Sequence, residues 1–245
     1  MSKQRLDVIL VERGLAESRE KAQRLILAGS VRVEGQVVDK AGRPCDIQAV
    51  VTVDSGEKFV SRGGGKLEAA FEVFCIQVEG LVCADIGAST GGFTDCLLQH
   101  GAARVYAVDV GKGQIDWRLR QDPRVVVKDQ LNARYLGRQD IPEPFQFAVV
   151  DVSFISLTLI LPPVTTLLEP DGQLVTLIKP QFEAGRENIG KGGVVRDPVV
   201  REGVIARIRE FGTTALPLKW LGLCESPVKG PAGNVEFLAW WRKTV

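Results

Sequence analysis

The sequence predicts an α/β fold: a doubly wound sheet with a terminal antiparallel hairpin, preceded by a small α+β domain. Three observations predict it. Helical and strand-type runs alternate from Lys66 onward, the pattern of strands joined by crossover helices. Two strand-type runs follow the last helix, and two strands with no helix between them pair as a hairpin on a sheet edge. Ahead of all this, about 54 residues read as two short helices followed by short alternating strands.

Composition sets the frame. Of 245 residues, 45% are hydrophobic and 25% charged, the balance of a chain that buries a real core. Disordered and collagen-like chains are excluded. With 31 Lys and Arg against 30 Asp and Glu, attraction to nucleic acid must come from local placement of charge. Cys45, Cys75, Cys83, Cys96 and Cys224 form no C-x-x-C pair and His100 is the single histidine, so no metal is expected and Ser-His hydrolase chemistry is disfavoured. The N-terminus MSKQRLDVILVERG lacks a signal-type apolar stretch, and the most apolar region, 145–168, is broken by Asp151, Pro162 and Pro163. A cytoplasmic protein with no membrane partner is expected.

Taken in order, Arg5 to Glu12 reads as a helix stopped by Gly14, and Glu17-Ser18-Arg19-Glu20 leads a second helix ended at Ala28-Gly29. Strand runs follow at 31–33, 36–38 and 50–53. The glycine-rich stretch 56–65, ending Ser61-Arg62-Gly63-Gly64-Gly65, reads as a connection, giving domains at 1–60 and 66–245 with a linker at 61–65. The large domain then predicts helices at 67–74, 90–100, 115–120, 156–168 and 197–211, and strands at 81–85, 104–109, 125–128, 147–151, 173–178, 218–226 and 236–241. His100 suits a helix C-terminus, and Trp240 and Trp241 face opposite sides of one strand. Trp117 is expected to pack half-buried.

The opening R-L-D and the run S-R-x-K-A-x-x-L-I-x-x-G-x-V-x-V-x-G resemble the S4 RNA-binding domain over about residues 5–54. That resemblance implies a basic face for structured RNA, with Arg5, Arg19, Lys21, Arg24, Lys40 and Arg43 as its candidates.

In the large domain the first strand ends in Asp85-Ile86-Gly87-Ala88-Ser89-Thr90-Gly91-Gly92-Phe93-Thr94-Asp95. A small-residue turn opening a helix lets backbone approach a ligand. The pattern G-x-S-x-G-G departs from the dinucleotide fingerprint. The acid before the first glycine would repel a pyrophosphate and favours a cation with an amino-acid end, which S-adenosylmethionine satisfies. Asp85, Gly87, Ser89, Gly91, Gly92, Phe93 and Thr94 are therefore candidates for cofactor contact. Asp109, ending the next strand, is placed for ribose hydroxyls, and Asp129 and Asn132 for adenine. Such a sheet with a closing hairpin is the methyltransferase form of the Rossmann-like fold.

Lys66 at the domain entrance, Asp151 ending the fourth strand, Lys179 ending the fifth and Glu236 on the last strand stand where such a sheet would gather charge beside the cofactor. The segments Ser61 to Leu67, Asp85 to Asp95, Val150 to Ser156, Ile178 to Glu183 and Gly233 to Phe237 resemble the TlyA family, also called haemolysin A. The resemblance spans nearly the whole chain. It implies an S4 domain fused to an FtsJ-like domain, S-adenosylmethionine as cofactor, ribosomal RNA as partner, and methyl transfer to cytidine ribose 2′-hydroxyls. It also implies a catalytic tetrad of Lys66, Asp151, Lys179 and Glu236. Lys179 is the expected base: desolvation and Lys66 would favour its free amine, Asp151 and Glu236 its ammonium. The loop 185–196 reads as a mobile cover meeting RNA through Arg186, Lys191 and Arg196. Two other readings stand beside this one, a non-catalytic RNA-binding or ribosome-assembly factor and a membrane-lytic protein suggested by the older name.

Overall fold

A computed structural model describes residues 3–53, 58–230 and 232–244. The chain divides into two compact units, Met1–Lys58 and Phe59–Val245. Of the expected 56–65 connection, residues 56 and 57 lie outside the described residues.

The first unit has strand β1 (Lys3–Arg5), helices α1 (Leu6–Glu12) and α2 (Arg19–Leu27), and strands β2 (Val31–Val33), β3 (Gln36–Val37), β4 (Pro44–Asp46) and β5 (Val51–Val53). Ser18 caps α2 by accepting from Lys21 N. The order β3-β2-β5 forms a three-stranded antiparallel sheet, and β1 pairs with β4. Leu6, Leu10, Ile26 and Val31 are fully buried in its core.

The second unit opens with helix α3 (Gly63–Phe74). The stretch expected as a linker is thus part of this unit, and its three glycines form the first helical turn. Glycine is a poor helix former, but a Cβ on Gly64 would stand 2.2 Å from Phe59 Cγ and one on Gly92 2.4 Å from Ser61 Oγ. Close packing decides the conformation. Strands β6 (Val82–Ile86), β7 (Arg104–Val108), β8 (Val125–Lys128), β9 (Phe145–Val150), β10 (Leu168–Ile178), β11 (Leu218–Glu225) and β12 (Phe237–Lys243) make one sheet, ordered β11-β12-β10-β9-β6-β7-β8. The strands from β10 to β8 in that order are parallel, while β12 runs antiparallel to both β10 and β11. Helices α4 (Gly92–Gln99), α5 (Trp117–Gln121), α6 (Leu157–Leu167), the short α7 (Pro180–Glu183) and α8 (Pro198–Thr214) connect them. Burial on both faces explains the near-continuous apolar run Phe147-Ala148-Val149-Val150 of β9.

The two closing tryptophans divide as the pleat requires. Trp241 is fully buried with Trp220 and Gly212, while Trp240 stacks on Phe74 and donates to Gln173 Oε1. His100 caps the end of α4 against Phe71. Trp117 is 67% exposed, so the expected half-buried packing does not occur.

Candidate active site

The strand order reverses direction at β6 and β9, and there the site is built. Asp151 N donates to Ile86 O at 2.9 Å, and a Cβ on Gly87 would lie 2.2 Å from Asp151 O. Only glycine, also at φ +88°, allows this approach. Gly87 N and Ala88 N donate to Val108 O, tying the turn to β7. Just past β7, Asp109 accepts from Ser89 N at 2.8 Å and Gly111 N at 2.7 Å, so main-chain donors aim its carboxylate.

Two cavities open here and share Gly87, Ser89, Asp151 and Ser153. One, about 480 Å³, is lined by Asp109, Val110, Gln114, Asn132, Phe154 and Ile160 among others. The second, about 320 Å³, is lined by Lys66, Gly92, Phe93, Asp151, Lys179 and Glu236 together with Ser61, Arg62 and Lys229. All four expected charges meet in the second cavity. Lys66, on α3, puts Nζ 2.6 Å from Glu236 Oε2, with both residues buried. Lys179, just beyond β10, puts Nζ 2.5 Å from Asp151 Oδ1 and donates to Ser153 Oγ at 2.9 Å. The tetrad is therefore two ion pairs, and the carboxylate beside Lys179 is Asp151.

Four residues expected to contact the cofactor line neither cavity. Asp85 and Thr94 are fully buried, with Thr94 Oγ1 donating to Asp85 Oδ2 at 2.7 Å. Burial pushes the Asp85 carboxyl up to about 7 against the Thr94 hydrogen bond, and the Asp151 and Asp109 carboxylates add to the rise. Gly91, at φ +94°, packs where a Cβ would strike Leu119. Asp129 accepts from Arg120 at 2.8 Å, which holds its carboxyl below the usual range. Asn132 does line the larger cavity, and its Oδ1 also accepts from Arg134 N.

Two lining residues, Ser153 and Phe154, and Gln181, which contacts Glu236 but lines neither cavity, carry no local signal in the sequence. Ser153 lies in the segment Val150 to Ser156, but nothing local to that segment shows that it meets Lys179 across 26 residues. Phe154, 90% exposed at φ +62°, sits with its ring 4.8 Å from that of Phe182 beside the cavity. Gln181 Nε2 donates to Glu236 Oε1 at 3.1 Å.

The residues fit S-adenosylmethionine. A carboxylate at the end of β7 suits ribose hydroxyls, apolar walls from Val110, Leu131 and Ile160 suit a base, and the Gly87 turn leads to the acid-bearing second cavity. Among the described residues no group of His, Cys, Asp and Glu could hold a metal ion.

The loop 185–196 is not a free cover. Asn234, nearly buried, accepts from Val195 N at 3.0 Å and donates to Gly193 O at 2.8 Å, and Gly190 bridges Val194. Arg186, Lys191 and Arg196 are exposed on it.

In the first unit the six basic candidates are all exposed. Arg5 and Arg19 converge on the buried Asp7, Arg5 through two bonds of 3.0 and 2.9 Å and Arg19 at 3.0 Å, and Gln23 adds a third donor. Arg5 above all, then Gln23 and Arg19, hold the Asp7 carboxyl far below its ordinary range against the effect of burial. A Cβ on Gly42 would lie 3.2 Å from Arg5 NH1, so the turn carrying Lys40 and Arg43 adjoins this cluster. Lys21 and Arg24 project from α2.

Fold and site together define a methyltransferase joined to a small RNA-binding-type unit. The FtsJ-like methyltransferase family model matches residues 59–243, and the S4 domain model matches residues 4–51. YqxC of Bacillus subtilis, provisionally described as an rRNA methyltransferase, is 52% identical over 96% of this chain and 84% of its own. The 16S/23S rRNA (cytidine-2′-O)-methyltransferase TlyA of Mycobacterium tuberculosis is 48% identical over 97% of this chain and 89% of its own. A solved structure from Streptococcus thermophilus, provisionally described as a hemolysin, is 47% identical and covers all of this chain and 90% of its own, with a TM-score of 0.75. The chain belongs to the TlyA family of FtsJ-like methyltransferases.

Proposed function

We propose that the protein is an S-adenosylmethionine-dependent 2′-O-methyltransferase acting on a cytidine ribose of ribosomal RNA, with the S4 unit delivering it to its target. One observation carries the reading: Lys66, Asp151, Lys179 and Glu236 line one cavity that adjoins a second one suited to a nucleoside. The names of the relatives support the substrate.

Bound S-adenosylmethionine would supply an activated methyl group. Asp109 would take its ribose hydroxyls and Asn132 its base, while Gly87 and Ser89 let backbone approach. Gly92 and Phe93 would flank the methyl-donor end. What remains for the chain is the acceptor, because a sugar hydroxyl is a weak nucleophile at neutral pH. Lys179 Nζ, steadied by Asp151 and Ser153, would hold the 2′-oxygen in line and take its proton as the methyl group transfers. Lys66, neutralised by Glu236, would shape the wall opposite. Enclosure strengthens each of these contacts, because fewer water molecules screen them.

Arg5, Arg19, Lys21, Arg24, Lys40 and Arg43 would grip structured RNA through phosphates, with Arg186, Lys191 and Arg196 adding contacts near the site. A ribosomal RNA substrate would put the protein's work in the cytoplasm. The described helices include none long and apolar enough to cross a membrane, and nothing in the site favours a lytic role. Tritium transfer from labelled S-adenosylmethionine to unmodified ribosomal subunits tests the reading. Incorporation is expected; RNA affinity without incorporation would leave a binding or assembly factor instead.

A further inference from the structure

Gln181 stands two residues beyond Lys179, in the short helix α7. Its amide Nε2 donates to Glu236 Oε1, while the other oxygen of Glu236 takes Lys66 Nζ. The amide is oriented by charge: only its NH2 end can face a carboxylate. Its own oxygen is left buried with no hydrogen-bond partner among the described residues. The orientation is set by the bond its donor end makes to Glu236 Oε1. Space around Glu236 is also fixed, because a Cβ on Gly230 would lie 2.7 Å from Glu236 Oε1.

These contacts join what would otherwise be two separate ion pairs. The segment 179–181 carries the lysine of one pair and the amide that fixes the carboxylate of the other. We propose that Gln181 is a positioning residue, acting through Glu236 to aim Lys66 and so to keep the Lys66–Glu236 pair in register with Lys179. The proposal rests on the methyl-transfer reading above. Removal of the amide frees the Glu236 carboxylate to rotate, and Lys66 loses its fixed direction. A carboxyl at position 181 can replace the amide only while it carries a proton, since two ionised carboxylates at hydrogen-bond distance repel.

The test uses the full-length protein with Gln181→Ala, Gln181→Glu and Glu236→Gln, read by single-turnover methyl transfer across pH and by cofactor titration calorimetry. Q181A is expected to slow transfer at least about tenfold with cofactor affinity within about threefold. In an E236Q background Q181A is expected to add little. Q181E is expected to recover activity at low pH and lose it as pH rises, opposite in slope to the wild type. A second readout does not need turnover: acetic anhydride labelling of Lys66, followed by mass spectrometry, is expected to rise severalfold in Q181A.

Additive losses in the double variant, or parallel pH profiles for Q181E and the wild type, would overturn the role of Gln181. Unchanged Lys66 labelling in Q181A would do the same. An inactive wild type whose Lys66 labelling still responds to Q181A would instead count against the methyl-transfer reading and leave the Gln181–Glu236–Lys66 linkage standing.

Discussion

Lys179 has an ion-pair contact with Asp151 and a hydrogen bond to the Ser153 hydroxyl, and it borders the cavity where an acceptor oxygen would sit. Lys179→Ala removes the proposed base and anchor together but leaves the cavity proposed for the nucleoside intact, since Lys179 does not line it. Methyl transfer should fall by about 10²-fold or more, the usual worth of a general base, with cofactor affinity nearly unchanged by calorimetry. Retained turnover would remove Lys179 from the chemistry. Asp85 makes a different claim. Burial holds it at about 7, well above the unfolded value near 3.9, so the folded chain keeps a proton that the unfolded chain gives up in between. The folded state therefore loses stability as pH rises from about 4 to 7 and gains it on acidification over the same interval. Asp85→Asn, which can still accept from Thr94, should be more stable than the parent in urea at about pH 8, by on the order of a few kcal/mol. The advantage should vanish near pH 4; an equal difference at both pH values would contradict the account.

At the scale of elements, the loop 185–196 is held by Asn234 and still presents Arg186, Lys191 and Arg196 to solvent. Changing all three to Ala should weaken RNA binding about tenfold or more in filter assays while cofactor binding stays within about twofold, because phosphate contacts are electrostatic and the cavities do not include these residues. Equal loss of both would mean that the loop supports the fold and not the RNA. The pinning of this loop shows where sequence reading stops. Its glycines suggest mobility, whereas the residue that fixes it lies about 40 positions on. The alternation of strands and helices, the glycine turn after β6 and the closing hairpin were legible because each is a local pattern with one physical cause. The start of α3 was not, since three glycines argue against a helix until Phe59 and Phe93 come close to them. Strands β1 and β4 are not legible because Lys3-Gln4-Arg5 and Pro44-Cys45-Asp46 carry no alternating β-branched pattern, unlike Val31-Arg32-Val33, and they pair across about 40 residues. In the site, strand ends pointed to Asp151 and Lys179, and the family resemblance to all four charges that meet. Their pairing, and the turning of Asp85, Thr94 and Asp129 away from the cavities, depends on side-chain direction, and the place of Gly91 on the path of the turn, neither of which spacing encodes.

At the scale of the whole molecule, a nearly neutral chain must bind RNA through charge gathered in places. Asp7 does the gathering in the first unit: one buried carboxylate orients Arg5 and Arg19 and keeps them at the surface. The pair Arg5→Ala and Arg19→Ala should lower affinity for ribosomal RNA and make its salt dependence shallower by about two phosphate contacts, while the cofactor still binds the second unit normally. An unchanged salt slope would place the RNA elsewhere. The central claim, that two ion pairs beside a nucleoside cavity serve transfer to a ribose oxygen, is tested most directly by identifying the methylated nucleoside. Unmodified ribosomal subunits are incubated with the protein and methyl-labelled S-adenosylmethionine, and the RNA is digested and separated by liquid chromatography with mass detection. Labelled 2′-O-methylcytidine is expected with the wild type and none with Lys179→Ala; label on a base, or the same yield from both proteins, would rule out transfer to a ribose oxygen through Lys179.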